Sequence, residues 1–92
     1  MRNVVVTTDK DRRGVFGGEL KSNKDGKTVL VNARMAVYWS GDVRGVLGLA
    51  ANGPTSSCRI SPVIPKIELD GVTSIMDMTD KAKAAWDKEP WG

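Results

Sequence analysis

The stretch Tyr38–Ser57, YWSGDVRGVLGLAANGPTSS, decides between an all-β domain and a mixed one. Ser40 is a natural helix N-cap, and Asp42 adds negative charge in the first turn, where the helix dipole favours it. Val43, Val46, Leu47 and Ala50 recur at i, i+3, i+4 and i+7, which makes one apolar stripe at helical spacing. Asn52-Gly53 followed by Pro54 is a stop signal. The pattern predicts a short helix over Gly41–Asn52. Gly45 and Gly48 inside it each cost about 1 kcal/mol against alanine, so both need a reason.

On the N-terminal side the chain reads as strands. Val4–Thr8 is a β-branched run, and Asp9–Gly14 is a polar break. Val15–Leu20 resumes extended structure, with Gly17-Gly18 marking a bulge or a close backbone approach. Asp25-Gly26 is a hairpin turn leading into Thr28–Ala33. Arg34–Trp39 either continues that strand or forms a separate one. Beyond Pro54 the chain reads as loop, because Pro62 and Pro65 limit pairing. Lys66–Leu69 and Val72–Met78 are expected strands around an Asp70-Gly71 turn. Thr79 should cap a last helix, Asp80 to about Lys88, with Ala82, Ala85 and Trp86 on one side and Pro90 after it. The expected fold is α+β: a small curved antiparallel sheet or partly open barrel with two short helices. Ninety-two residues suit a single domain spanning 1–92. So small a sheet leaves edges that something must cover, which points to a homo-oligomer.

Composition bounds the function. With 40% hydrophobic and 27% charged residues the chain is ordinary globular material. No apolar run approaches the roughly 18–20 residues of a membrane span, and the N-terminus lacks a signal-peptide pattern. One cysteine, Cys58, cannot form an internal disulfide, which favours a reducing cytoplasm. The net charge of +3 is mild and its cations are dispersed, the densest run being Lys10-Asp11-Arg12-Arg13, so nucleic acid is not the expected partner.

Histidine is absent, which removes the commonest general acid–base and the commonest zinc ligand. No metal and no cofactor are expected. Gly48–Thr55 has the outline of a phosphate-binding loop, but Pro54 replaces the lysine and the glycines end a helix instead of starting one. Cys58 has no histidine to activate it and reads as a core residue. Glu19, Asp42, Glu68 and Asp77 are scattered, with no acid–base pairing visible. No catalytic residue is expected, and the chain does not read as an enzyme.

A binding site is easier to assemble. Tyr38 and Trp39 supply faces on which a base can stack, at about 1–3 kcal/mol per base. Arg34, Arg44 and Arg59 suit phosphate by bidentate hydrogen bonds. Asn52 and Thr55 add neutral donors. The opposing reading keeps Trp39 in the core and uses the glycines for packing.

Arg13-Gly14-Val15-Phe16-Gly17-Gly18, then Asn32-Ala33-Arg34-Met35 and Tyr38-Trp39-Ser40-Gly41, resemble a group of small phage and prophage proteins. Cys58-Arg59-Ile60, the strands Pro65–Leu69 and Val72–Met78, the alanine-rich helix and Trp91 extend the resemblance over nearly the whole chain. More loosely, the chain is similar to the phage anti-defence sponges that sequester cyclic ADP-ribose signals of the Thoeris system. That resemblance implies an oligomeric α+β protein in the host cytoplasm, with arginines and aromatics around an anionic nucleotide and no chemistry performed on it. The alternative is an interaction protein that inhibits a host protein through the Tyr38–Gly53 surface, or a weak nucleic-acid binder.

Overall fold

A computed structural model of the chain describes residues 2–9 and 14–88. The expected basic run at 10–13, and Pro90 and Trp91, lie outside the described residues. Six strands and two helices make the α+β fold: β1 (Arg2–Thr8), β2 (Gly14–Lys24), β3 (Lys27–Tyr38), α1 (Gly45–Ala51), β4 (Arg59–Ile60), β5 (Ile64–Asp70), β6 (Val72–Asp77) and α2 (Asp80–Lys88). All pairings are antiparallel. β2 and β3 form a hairpin whose turn residues Asp25 and Gly26 both take positive φ, 54° and 76°. That is the turn geometry that matches strand twist, and Asp-Gly is its usual sequence.

β3 is the spine of an open sheet. On one side it pairs β2, which pairs β1, which pairs β6; on the other it pairs β5 along its first half and β4 at its end. Arg34–Tyr38 therefore continues the third strand. The two outermost long strands, β5 and β6, are joined only by Gly71. The sheet must therefore curl until its edges meet at that end, and the apolar residues say what the curl encloses. Val4, Val6, Leu30, Ala33 and Leu69 form a buried cluster with Phe16, Leu20, Ile67, Val72 and Ile75 packed against it. Those residues come from β1, β2, β3, β5 and β6, with no helix among them. Val5, Val15, Ala36 and Ile60 point the opposite way and meet Leu49, Ala50, Ala82 and Trp86 of the helices. Both faces of the sheet are thus covered, one by its own curvature and one by α1 and α2.

Alternation along β3 is interrupted once. Leu30 and Ala33 share the inner cluster although an odd step separates them. Asn32 between them has φ 48°, and the pairing register of β2 with β3 shifts beside it. An extra residue in the left-handed region is how a bulge resets which face a strand presents. Across the bulge lies Gly18, where a Cβ would sit 3.1 Å from the Val31 carbonyl oxygen and 3.2 Å from the Ala33 Cα. The expected close approach at the paired glycines is met there.

The helix expected over Gly41–Asn52 is two pieces. Gly41–Val43 is a single 3₁₀ turn, Arg44 turns left-handed at φ 66°, and α1 starts at Gly45. The phase is reset at Arg44, so the expected stripe is wrong in one member: Leu47 is 71% exposed, and Leu49 is fully buried. Ser40 precedes the 3₁₀ turn but makes no side-chain cap; its hydroxyl donates to the Asp42 carboxylate instead. Gly48 has its reason here. A Cβ on it would lie 1.5 Å from the Val43 carbonyl oxygen, so the turn packs directly on the helix backbone. The segment expected to be loop after Pro54 contains β4, and β5 begins at Ile64, ahead of the expected Lys66. Pro65 is tolerated because β5 lies at the sheet edge.

Candidate functional site

The sequence-predicted binding residues fall in two places. Tyr38 and Arg59 sit opposite each other where β3 pairs β4, and Tyr38 is 53% exposed. Trp39 follows at the strand end and packs, half-buried, against the helix-side core. Arg44 is exposed at the left-handed junction before α1, and Asn52 is exposed at its far end, its N–H donating to the Gly48 carbonyl at 2.8 Å. Thr55 belongs to a small polar knot. Its hydroxyl lies 3.5 Å from Asp42 Oδ1, and its backbone exchanges contacts with Cys58, whose thiol is buried.

Asp42 shapes the electrostatics of that shoulder. The Ser40 hydroxyl is the main cause holding its carboxyl below the ordinary 3.8; slight desolvation opposes this, and the Thr55 hydroxyl and two backbone N–H groups assist. Asp42 is therefore an anion at neutral pH. Thr55 spends its hydroxyl on that anion, which makes it a poor phosphate donor in this arrangement.

Arg34 is elsewhere. Its Nε donates to the Ser61 carbonyl at 2.8 Å and its Nη1 to the Trp86 carbonyl at 2.5 Å, clamping the residue after β4 to the end of α2. It lines a cavity of about 250 Å³ between the sheet and α2, which contributes Lys83, Trp86 and Asp87. Gly17 and Gly18 contribute backbone to its lining, Trp86, Met78 and Val63 supply apolar wall, and Asn3, Glu19, Asn32, Lys83 and Asp87 supply the polar lining. The size of Trp86 dictates Gly17, because a Cβ there would fall 2.9 Å from its ring and from the Met78 methyl. Asn32 donates to Glu19 at 2.6 Å, and Lys83 pairs Asp87 at 2.5 Å. Asn3 Oδ1 is buried and has no hydrogen-bond partner among the described residues. Leaving a buried acceptor unpaired costs about 1–3 kcal/mol.

Of the predicted set, only Arg34 lines this cavity. Asn3, Glu19, Lys83 and Asp87 were not legible as site residues, since they come together from β1, β2 and α2; the Gly17-Gly18 pair was the one signal pointing there. Among the described residues no group of three or more His, Cys, Asp or Glu could hold a metal ion. No helix there is long and apolar enough to cross a membrane.

Residues 1–86 match a family described as a domain of unknown function, DUF6948. No curated protein and no solved structure matches the chain.

Proposed function

This chain belongs to the DUF6948 family, and we propose that it is a non-catalytic binding protein that captures a small anionic nucleotide ligand, a reading that rests on its cavity and not on the family. The observation that carries the reading is the cavity bounded by Arg34 and Lys83, lined also by Asn3, whose buried Oδ1 has no hydrogen-bond partner among the described residues. Its lining suits the sugar–phosphate part of a nucleotide. Arg34 and Lys83 supply positive charge although each already donates to protein oxygens, Glu19 and Asp87 accept from hydroxyls, and Trp86 and Met78 offer an apolar side. At about 250 Å³ it lies below the roughly 300–1,000 Å³ of sites for drug-sized ligands, so the rest of a nucleotide would extend over Val63. In its fullest form the proposal is the one implied by the resemblance to phage anti-defence sponges: a homo-oligomer in the host cytoplasm that sequesters a cyclic nucleotide signal. Tyr38, Trp39, Arg44 and Arg59 would then serve a ligand lying across that shoulder.

Calorimetry with ribose 5-phosphate, AMP and cyclic ADP-ribose tests this reading. Binding by wild type, weakened more than tenfold in Lys83→Ala with an unchanged melting temperature, is the expected result. Arg34 is the wrong variant for the purpose, because its loss also releases Ser61 and Trp86. Absence of heat with all three ligands at millimolar concentration, and of any added mass after incubation with a nucleotide extract, would sink the proposal.

A second reading has its own observation. Leu47 is 71% exposed on α1 and Tyr38 53% exposed at the end of β3, which fits an interaction protein that inhibits a host protein through Tyr38–Gly53. Leu47→Asp should abolish such an interaction and leave calorimetric ligand binding untouched.

A further inference from the structure

We propose that two copies of the chain pair antiparallel through β5, about a twofold axis at Ile67. This rests on the self-association reading above and supplies its interface. β5 pairs β3 from Asp70 to Ile64 along one side, and its other side has no strand partner among the described residues.

Pro65 sets the direction of the unpaired groups. A proline sits in an edge strand with its nitrogen turned away from the ladder. Main-chain groups alternate sides along a strand, so those of Pro65, Ile67 and Leu69 face outward while Lys66 and Glu68 bond to β3. A twofold axis at Ile67 then lets the two Ile67 residues exchange a reciprocal pair of N–H···O bonds. Leu69 N–H donates to the partner's Pro65 carbonyl on either side. Proline's missing donor falls where it costs one bond per copy and does not interrupt the centre.

The side chains agree with that register. Lys66 falls opposite the partner's Glu68, and Glu68 opposite the partner's Lys66. Within one copy Glu68 already lies 3.9 Å from Lys66 and 3.7 Å from Lys27, all of them exposed. On the inner face Ile67 meets the partner's Ile67, extending the apolar cluster enclosed by the curl. Lysine and proline on an edge ordinarily repel a second strand. Here the lysine finds a carboxylate and no like charges meet, whereas an axis at Glu68 would set Lys66 against Asp70 but Glu68 against Glu68; the charges give specificity more than affinity. β6, the opposite edge, has no such symmetry: centred on Ser74-Ile75 it would set Val72 against Asp77 and match no charges. Ile64, 41% exposed at the start of β5, would be partly shielded by the second copy.

Charge exchange tests the register. Lys66→Glu alone sets Glu against Glu across the axis, twice, and Glu68→Lys alone sets Lys against Lys. Each variant should be monomeric by light scattering at concentrations where wild type is a dimer, with native far-ultraviolet circular dichroism. An equimolar mixture of the two should form a heterodimer, since every cross-axis pair is then complementary, and the double variant should dimerise again. A mixture that stays monomeric, or variants that dimerise as well as wild type, overturns the β5 interface while self-association stands. A monomeric wild type at tens of micromolar overturns both.

Discussion

At the scale of single residues, Gly48 separates two effects of opposite sign. Helix propensity says Gly48→Ala should gain about 1 kcal/mol. The contact says otherwise, because the new Cβ would overlap the Val43 carbonyl oxygen, and backbone cannot yield as a flexible side chain does. Overpacking costs about 1–3 kcal/mol or more, so Gly48→Ala should destabilise, as chemical denaturation would register. An increase in stability would mean that α1 does not rest on the 3₁₀ turn. Asp42 offers a test by titration. A carboxyl whose folded pKa is depressed contributes stability that is present above its unfolded pKa and lost as pH falls through the folded value. Ser40→Ala removes the principal cause of the depression. The Asp42 carboxyl carbon should then titrate at higher pH by NMR, and the acid-side loss of stability due to Asp42 should shrink as its folded and unfolded pKa values draw together; an unmoved titration curve would refute the hydrogen bond. Arg44→Ala leaves a non-glycine residue in the same left-handed conformation and removes only an exposed side chain, so stability should change by under about 0.5 kcal/mol.

Elements this short depend on each other. α1 has 7 residues, and isolated helices under about 12–15 are marginal even in favourable sequences. It is held by α2. Trp86 Nε1 donates to the Leu49 carbonyl at 3.0 Å, inside the core. Thr79 serves both helices: its backbone N–H donates to the Ala50 carbonyl, its hydroxyl donates to the Ala51 carbonyl at 2.6 Å, and the same oxygen accepts the Ala82 N–H at 3.0 Å. Gly53 completes the contact, since a Cβ there would fall 2.5 Å from the Ala85 methyl. Losing an N-cap costs about 0.5–2 kcal/mol. Thr79→Ala should reach the upper part of that range because it also strips a C-terminal carbonyl of α1. Thr79→Ser, which keeps the hydroxyl, should recover most of the loss in thermal melts. Failure of serine to rescue would move the cost from the hydrogen bonds to the methyl group.

For the whole molecule, the mild positive charge sets an expectation about partners. Capture of one small phosphate-bearing ligand should weaken only modestly with salt, whereas a duplex binder with 6–10 phosphate contacts would lose about 10³–10⁵ in affinity between 50 and 200 mM. Titration of the ligand, and of duplex DNA, across that range separates the two, and a steep slope on tightly bound DNA would reverse the ranking.

Much of the fold is written locally. The β-branched run at Val4–Thr8, the Asp25-Gly26 turn and Thr79 before an alanine-rich helix act through the backbone preferences of a few neighbouring residues. The sequence by itself therefore determined the α+β class, the hairpin and the last helix. Three features were decided only by the tertiary structure. The left-handed Arg44 splits a continuous helical pattern because Val43 must turn into the core and set its carbonyl against Gly48. The Asn32 bulge exchanges the faces of β3 so that Ala33 joins the enclosed cluster and Ala36 the helix-side one. The cavity gathers Asn3, Arg34 and Lys83 from β1, β3 and α2. Each depends on contacts between residues remote along the chain, and local propensity carries no information about which remote residue will be the neighbour.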